Sequence, residues 1–153
     1  MSDTEEKRAK PKLSPLEAIQ AKLDAQAEAE QEAREAQEAI DLSALFDLKQ
    51  EHGVTGAVVA VKLPGWTEGV PTMAIARRPT KMEFKRFQDL TAKKDAGTPE
   101  AIKAAEQVVA LCLLYPPPET FEKMIEVCPG IKVALGSAAV GLATAKARED
   151  AKQ

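Results

Sequence analysis

Apolar positions recur at helical spacing near the start of the chain, disappear, and then return. Leu16, Ile19 and Leu23 form a short stripe, Ala25 to Ala39 offers only alanines among Glu, Gln and Arg34, and Ile40, Leu42, Leu45, Phe46 and Leu48 form a second stripe. That pattern predicts one helix with apolar ends and a polar middle, held by propensity rather than by burial. Ser14-Pro15-Leu16-Glu17 supplies its start: the Ser14 hydroxyl can accept from the Glu17 amide, the Glu17 carboxylate can reach back, and Pro15 suits the first turn. Gly53 supplies the left-handed residue on which helices commonly stop. A helix over 14–52 with an unburied middle is expected to project from the body, as a solvated spacer or as an acidic binding face.

Beyond Gly53 the period shortens. Val54 to Val61 is β-branched and reads as a strand, Pro64 to Gly69 is turn chemistry, and Val70 to Arg77 offers a second strand. The economical solution is a hairpin leaning on helices, because an isolated hairpin is marginal. Helical spacing resumes at Pro79-Thr80-Lys81-Met82-Glu83, where a Thr-x-x-Glu start precedes Phe84, Phe87 and Leu90. Thr98-Pro99-Glu100 opens the next helix, whose Ile102, Ala105, Val108, Val109, Leu111, Cys112 and Leu113 make it the expected core helix. Tyr115-Pro116-Pro117-Pro118 forces an extended break. Glu119 to Val127 then reads as a short helix with Phe121, Met124 and Ile125 inward, and Pro129-Gly130 turns the chain again. Ile131 to Arg148 closes as a helix in which Gly136, Ser137 and Gly141 permit close backbone approach. The expected fold class is α+β, mainly α: a long N-terminal helix, a small antiparallel β-hairpin, and a C-terminal bundle of about four helices. The expected organisation is a disordered head (1–13), a helical arm (14–52), a compact hairpin-plus-helices domain (53–148) and a polar tail (149–153).

Composition sharpens this picture. Aromatic residues are only 4% of the chain, so the core is modest and aliphatic. Formal net charge is −3, yet residues 1–52 carry −6, residues 53–97 carry +4 and residues 98–153 carry −1, so the middle third alone is basic. Cys112 and Cys128 each sit among apolar neighbours, where buried free thiols are the better reading than a disulfide. The N-terminus has no apolar secretory core, and the longest uncharged run, Val133 to Ala145, is thirteen residues. A transmembrane helix needs about 20. Neither secretion nor membrane insertion is expected.

No catalytic grouping is legible. His52 is the single histidine and falls at a predicted helix end, where an imidazole interacts with the last carbonyls. One histidine and two dispersed cysteines lack metal-ligand spacing, and no phosphate-cradling glycine loop is present. No cofactor is implied. The most suggestive feature is basic: Arg77, Arg78, Lys81, Lys85 and Arg86 cover the end of the second strand and the start of the following helix. Acidic overall charge and few stacking aromatics weigh against nucleic acid. A solvated corner and a contact surface for an acidic protein, the chain's own N-terminal helix included, remain as readings. Trp66, between Gly65 and Thr67, either folds back over the hairpin or anchors a partner.

Arg77-Arg78-Pro79-Thr80-Lys81-Met82-Glu83-Phe84-Lys85-Arg86-Phe87, followed by Leu111-Cys112-Leu113-Leu114-Tyr115-Pro116 and by Phe121 to Ile125 with Pro129-Gly130, resembles the tail assembly chaperones of tailed bacteriophages. The likeness covers residues 54 to about 145 as an order of elements and short pieces, and the helix over 14–52 is not part of it. It implies a non-enzymatic protein that coats the tape-measure protein and recruits tail-tube subunits, working in the host cytoplasm. Its contacts would fall on the basic corner, with Phe84 or Phe87 and Trp66. A homo-oligomer is compatible with it. The competing expectation is a virion component, a head or tail decoration or connector protein, that uses the long helix as an arm against neighbouring virion subunits.

Overall fold

A computed structural model of the chain describes residues 14–53, 57–93 and 97–152, the last eight as backbone alone. The head expected at 1–13 lies outside these residues, as does the start of the strand expected from Val54. The serine signal operates as read. Helix α1 runs Pro15–His52, its Ser14 hydroxyl accepting from Glu17 N–H at 3.2 Å and its Glu17 carboxylate accepting from Ser14 N–H at 3.4 Å. It stops where Gly53 adopts φ 66° and donates to the Lys49 carbonyl at 3.0 Å, a conformation that carries a steric cost for residues with a Cβ.

The expected hairpin is present with shorter strands, β1 at Val58–Lys62 and β2 at Met73–Arg77. They pair antiparallel from Val58 opposite Arg77 to Lys62 opposite Met73. Helix α2 (Lys81–Thr91) begins at Thr80 through its reciprocal bonds with Glu83, and α3 spans Thr98–Cys112. The break expected at Tyr115 is instead preceded by a third strand, β3 (Leu113–Tyr115), which pairs with β2. The sheet therefore has three strands, in the order β1-β2-β3, rather than two. Helix α4 follows at Pro118–Val127 and α5 at Ile131–Lys152, carrying helical backbone past Arg148 into the residues expected to form a tail.

Directly opposed residues of an antiparallel pair share a face. Val59, Val61, Ala74 and Ala76 therefore face one side, where they meet Val108, Val109 and Cys112 of α3, Phe121 and Met124 of α4, and Ile131, Leu135 and Ala139 of α5. This is the aliphatic core. Gly136 lets α5 lie against α3: a Cβ there would stand 2.2 Å from the Ala105 carbonyl oxygen. Gly141, assigned the same role from sequence, has open space beside it, and Ser137 is exposed.

Ala60, Lys62, Met73 and Ile75 occupy the opposite face, and Met73 and Ile75 are fully buried. The C-terminal turns of α1 cover this side. Glu38 reaches Lys62 at 3.8 Å, and Asp41 accepts from Thr72, next to Met73 in the chain, and from Tyr115, which stands opposite Ile75. The molecule is thus a helical arm, a small sheet and a helical layer, in that order.

Candidate functional site

The basic corner forms because a strand ends and a capped helix begins within four residues. Arg77 leaves β2 and places its guanidinium against Glu83, with Nη1 donating to Oε1 at 2.7 Å and Nη2 donating to Oε2 at 2.9 Å. Nη2 also donates to the Leu111 carbonyl at 2.9 Å, so one side chain ties β2, α2 and the end of α3 together. Glu83 already accepts from Thr80 N–H at 2.8 Å in the helix cap. The Arg77 guanidinium, and then the Thr80 amide, hold the Glu83 carboxyl far down, at about 2. Glu83 in turn raises Arg77. Burial pushes the neighbouring Cys112 thiol up to about 11. Cys112 and Cys128 are both free thiols, the first buried and the second half-buried.

Of the residues assigned to an interface from sequence, the structure divides two groups. Arg77 is engaged inside the protein, and Arg78 is half-buried with its amide donating to the Ala57 carbonyl. Phe84 and Phe87 are half-buried against the core, their ring centroids 6.5 Å apart. Trp66 folds back: its indole Nε1–H donates to the Val70 carbonyl at 2.8 Å and its ring packs on the core. Lys81, Lys85 and Arg86 are exposed. Lys85 and Arg86 line a shallow groove of about 400 Å³ with Met82, Glu83, Asp89 and Leu111. Met82 is 82% exposed and Leu111 46%, so two exposed apolar side chains lie among the groove's two cations and two carboxylates.

Helix α1 supplies a second surface. From Pro15 to Glu32 every residue except Ala18 is exposed, including Leu16 at 80%, Ile19 at 56% and Leu23 at 53%. The second stripe expected from sequence does not bury as a unit either. Leu45 and Leu48 are half-buried against the body, whereas Ile40, Leu42 and Phe46 are exposed.

The residue that seats the helix is one the sequence pattern hid. Among the described residues of α1, Asp41 alone is buried. Its Oδ2 accepts from Thr72 N–H and Thr72 Oγ1–H, both at 2.6 Å, and its Oδ1 accepts from Tyr115 O–H at 2.5 Å and Gln37 Nε2–H at 3.0 Å. A carboxylate is all acceptor, so four donors converging on two oxygens satisfy it without water. Burial, and then the bond to Asp41, raise the Tyr115 phenol above its ordinary value.

Among the described residues no single helix is long and apolar enough to cross a membrane. No group of three or more His, Cys, Asp and Glu is placed among them to hold a metal ion. Comparisons with known protein families, with curated proteins and with solved structures find no match.

Proposed function

We propose that this chain is a non-enzymatic assembly protein that works by binding other proteins, and that it serves as a tail assembly chaperone of a tailed bacteriophage. One observation carries the reading. The body holds α1 through its C-terminal turns and Asp41, while the turns from Pro15 to Glu32 stand in solvent with Leu16, Ile19 and Leu23 on their surface. Three exposed aliphatic side chains on one line of a helix held by propensity form a stripe that a partner can cover. A long helical client such as a tape-measure protein suits such an arm, because two helices bury matched stripes along their lengths. The resemblance of residues 77–87 and 111–130 to the chaperone pattern supplies the identity of the client, and tail-tube subunits would be recruited to the same complex.

Co-expression of the full chain with the tape-measure protein of its phage tests this. The expected result is a tape-measure protein kept in the soluble fraction and co-purifying with the chain, which is itself missing from finished particles. A tape-measure protein equally insoluble with and without the chain contradicts the reading. The projecting arm also favours a second reading, a virion decoration or connector protein. Recovery of the chain at high copy number from purified particles would decide for that one.

A further inference from the structure

Whatever client the chain serves, its two unfilled surfaces lie at opposite ends of the molecule. Asp41 and Glu38 fix α1 to the Thr72 and Lys62 end of the β-hairpin. From Asp41 to His52 the helix advances about 16 Å. The chain from His52 to Val58 can span no more than about 21 Å. The last three turns must therefore run back alongside the strands towards Val58 and Arg77, where half-buried Ala44, Leu45, Leu48 and His52 follow the body. The N-terminal turns consequently leave from the other end. Leu16 stands about 37 Å beyond Asp41 along the axis. The basic corner follows Arg77, at the far end of the same strand, so the arm of a molecule cannot reach its own corner.

The two surfaces carry opposite charge. At 100° per residue, Leu16, Ile19 and Leu23 lie on one line of α1, and Glu17, Asp24, Glu28 and Glu35 lie on a second line about 130° round the helix from it. Residues 15–39 carry seven acidic and two basic side chains. On α2, Met82, Lys85, Arg86 and Asp89 follow the i, i+3, i+4, i+7 spacing of one face, Lys81 lies one turn from Lys85, and Leu111 adds apolar surface from α3. A net-acidic arm at one end and the exposed cations Lys81, Lys85 and Arg86 at the other are complementary in charge.

We infer that the groove of Met82, Lys85, Arg86 and Leu111 receives the arm of a second copy of this chain, its acidic line of Glu17, Asp24 and Glu28 turned to Lys81, Lys85 and Arg86, which leaves the stripe of Leu16, Ile19 and Leu23 to a client. Two copies can exchange arms reciprocally and close as a two-fold dimer, or pass them head to tail into a ring or an open series.

Sedimentation of the full chain over a concentration series at low and high salt tests this. The expected result is a mass above the monomer at low salt that falls towards the monomer at high salt, as screened ion pairs weaken. Two paired reversals, Lys85→Glu with Arg86→Glu and Asp24→Lys with Glu28→Lys, alter exposed side chains only. Each pair should weaken association about tenfold, and placing all four in one chain should restore it. Melting temperatures close to the parent's confirm that the variants fold. A monomer at every concentration and salt overturns the inference. So does a complex that neither reversal weakens, the signature of arms pairing with each other. None of these outcomes bears on capture of a tape-measure protein, which the co-expression experiment decides separately.

Discussion

Asp41 anchors the arm, and its chemistry makes a sharp prediction. It accepts four hydrogen bonds from Thr72, Tyr115 and Gln37, two on each oxygen. Asp41→Asn keeps the shape but turns one acceptor oxygen into an amide donor facing donors, and is expected to destabilise the protein by about 3 kcal/mol in urea unfolding. Tyr115→Phe removes a single donor and should cost about 1 kcal/mol. Near-equal losses would show that the carboxylate is not the focus. Glu83 yields a pH effect. Its carboxyl falls from 4.5 to about 2 beside Arg77. A depressed acid contributes stability above its unfolded value and loses it as pH falls through the folded one. The difference in melting temperature between the parent and Glu83→Gln should therefore be constant above about pH 5 and shrink between 4.5 and about 2. Asp41 could not be found from sequence. An aspartate between Ile40 and Leu42 looks solvated, and its partners lie 31 and 74 residues away in the chain.

Elements were legible where their signals are local. The reciprocal bonds at Ser14 and Thr80 join residues three apart, and both helices start where these were read. Strand β3 was not legible, because Leu113-Leu114-Tyr115 continues the apolar run of α3 and only pairing with Ile75 and Ala76 makes it a strand. The second stripe of α1 failed for a related reason. Its spacing allowed several faces, and docking on the sheet selected Leu45 and Leu48 over Ile40, Leu42 and Phe46. The small residues of α5 separate into one that matters and one that does not. Gly136→Ala drives a methyl into the Ala105 carbonyl and should cost about 2 kcal/mol or more. Gly141→Ala meets open space and should be neutral or stabilise by about 0.5 kcal/mol. Equal effects of the two in thermal unfolding would mean that α3 and α5 do not approach through Gly136.

At the scale of the molecule, the arm and the basic corner give the chain a direction, with acidic helix at one end and the exposed Lys81, Lys85 and Arg86 at the other. Sequence alone exposed the charge asymmetry and the unburied middle of α1. It could not assign the ends, because that depends on Asp41 and on a short connection to β1. The account depends above all on α1 being bound to its own body only from about Gln37 onward. Hydrogen exchange along α1 tests this most directly, with the full chain dilute and in high salt so that copies stay apart. Amides from Ala18 to Glu32 should exchange about a hundredfold faster than those from Leu45 to Gln50, which share the protection of the sheet. Uniform, body-like protection along the whole of α1 in separated molecules would contradict the account.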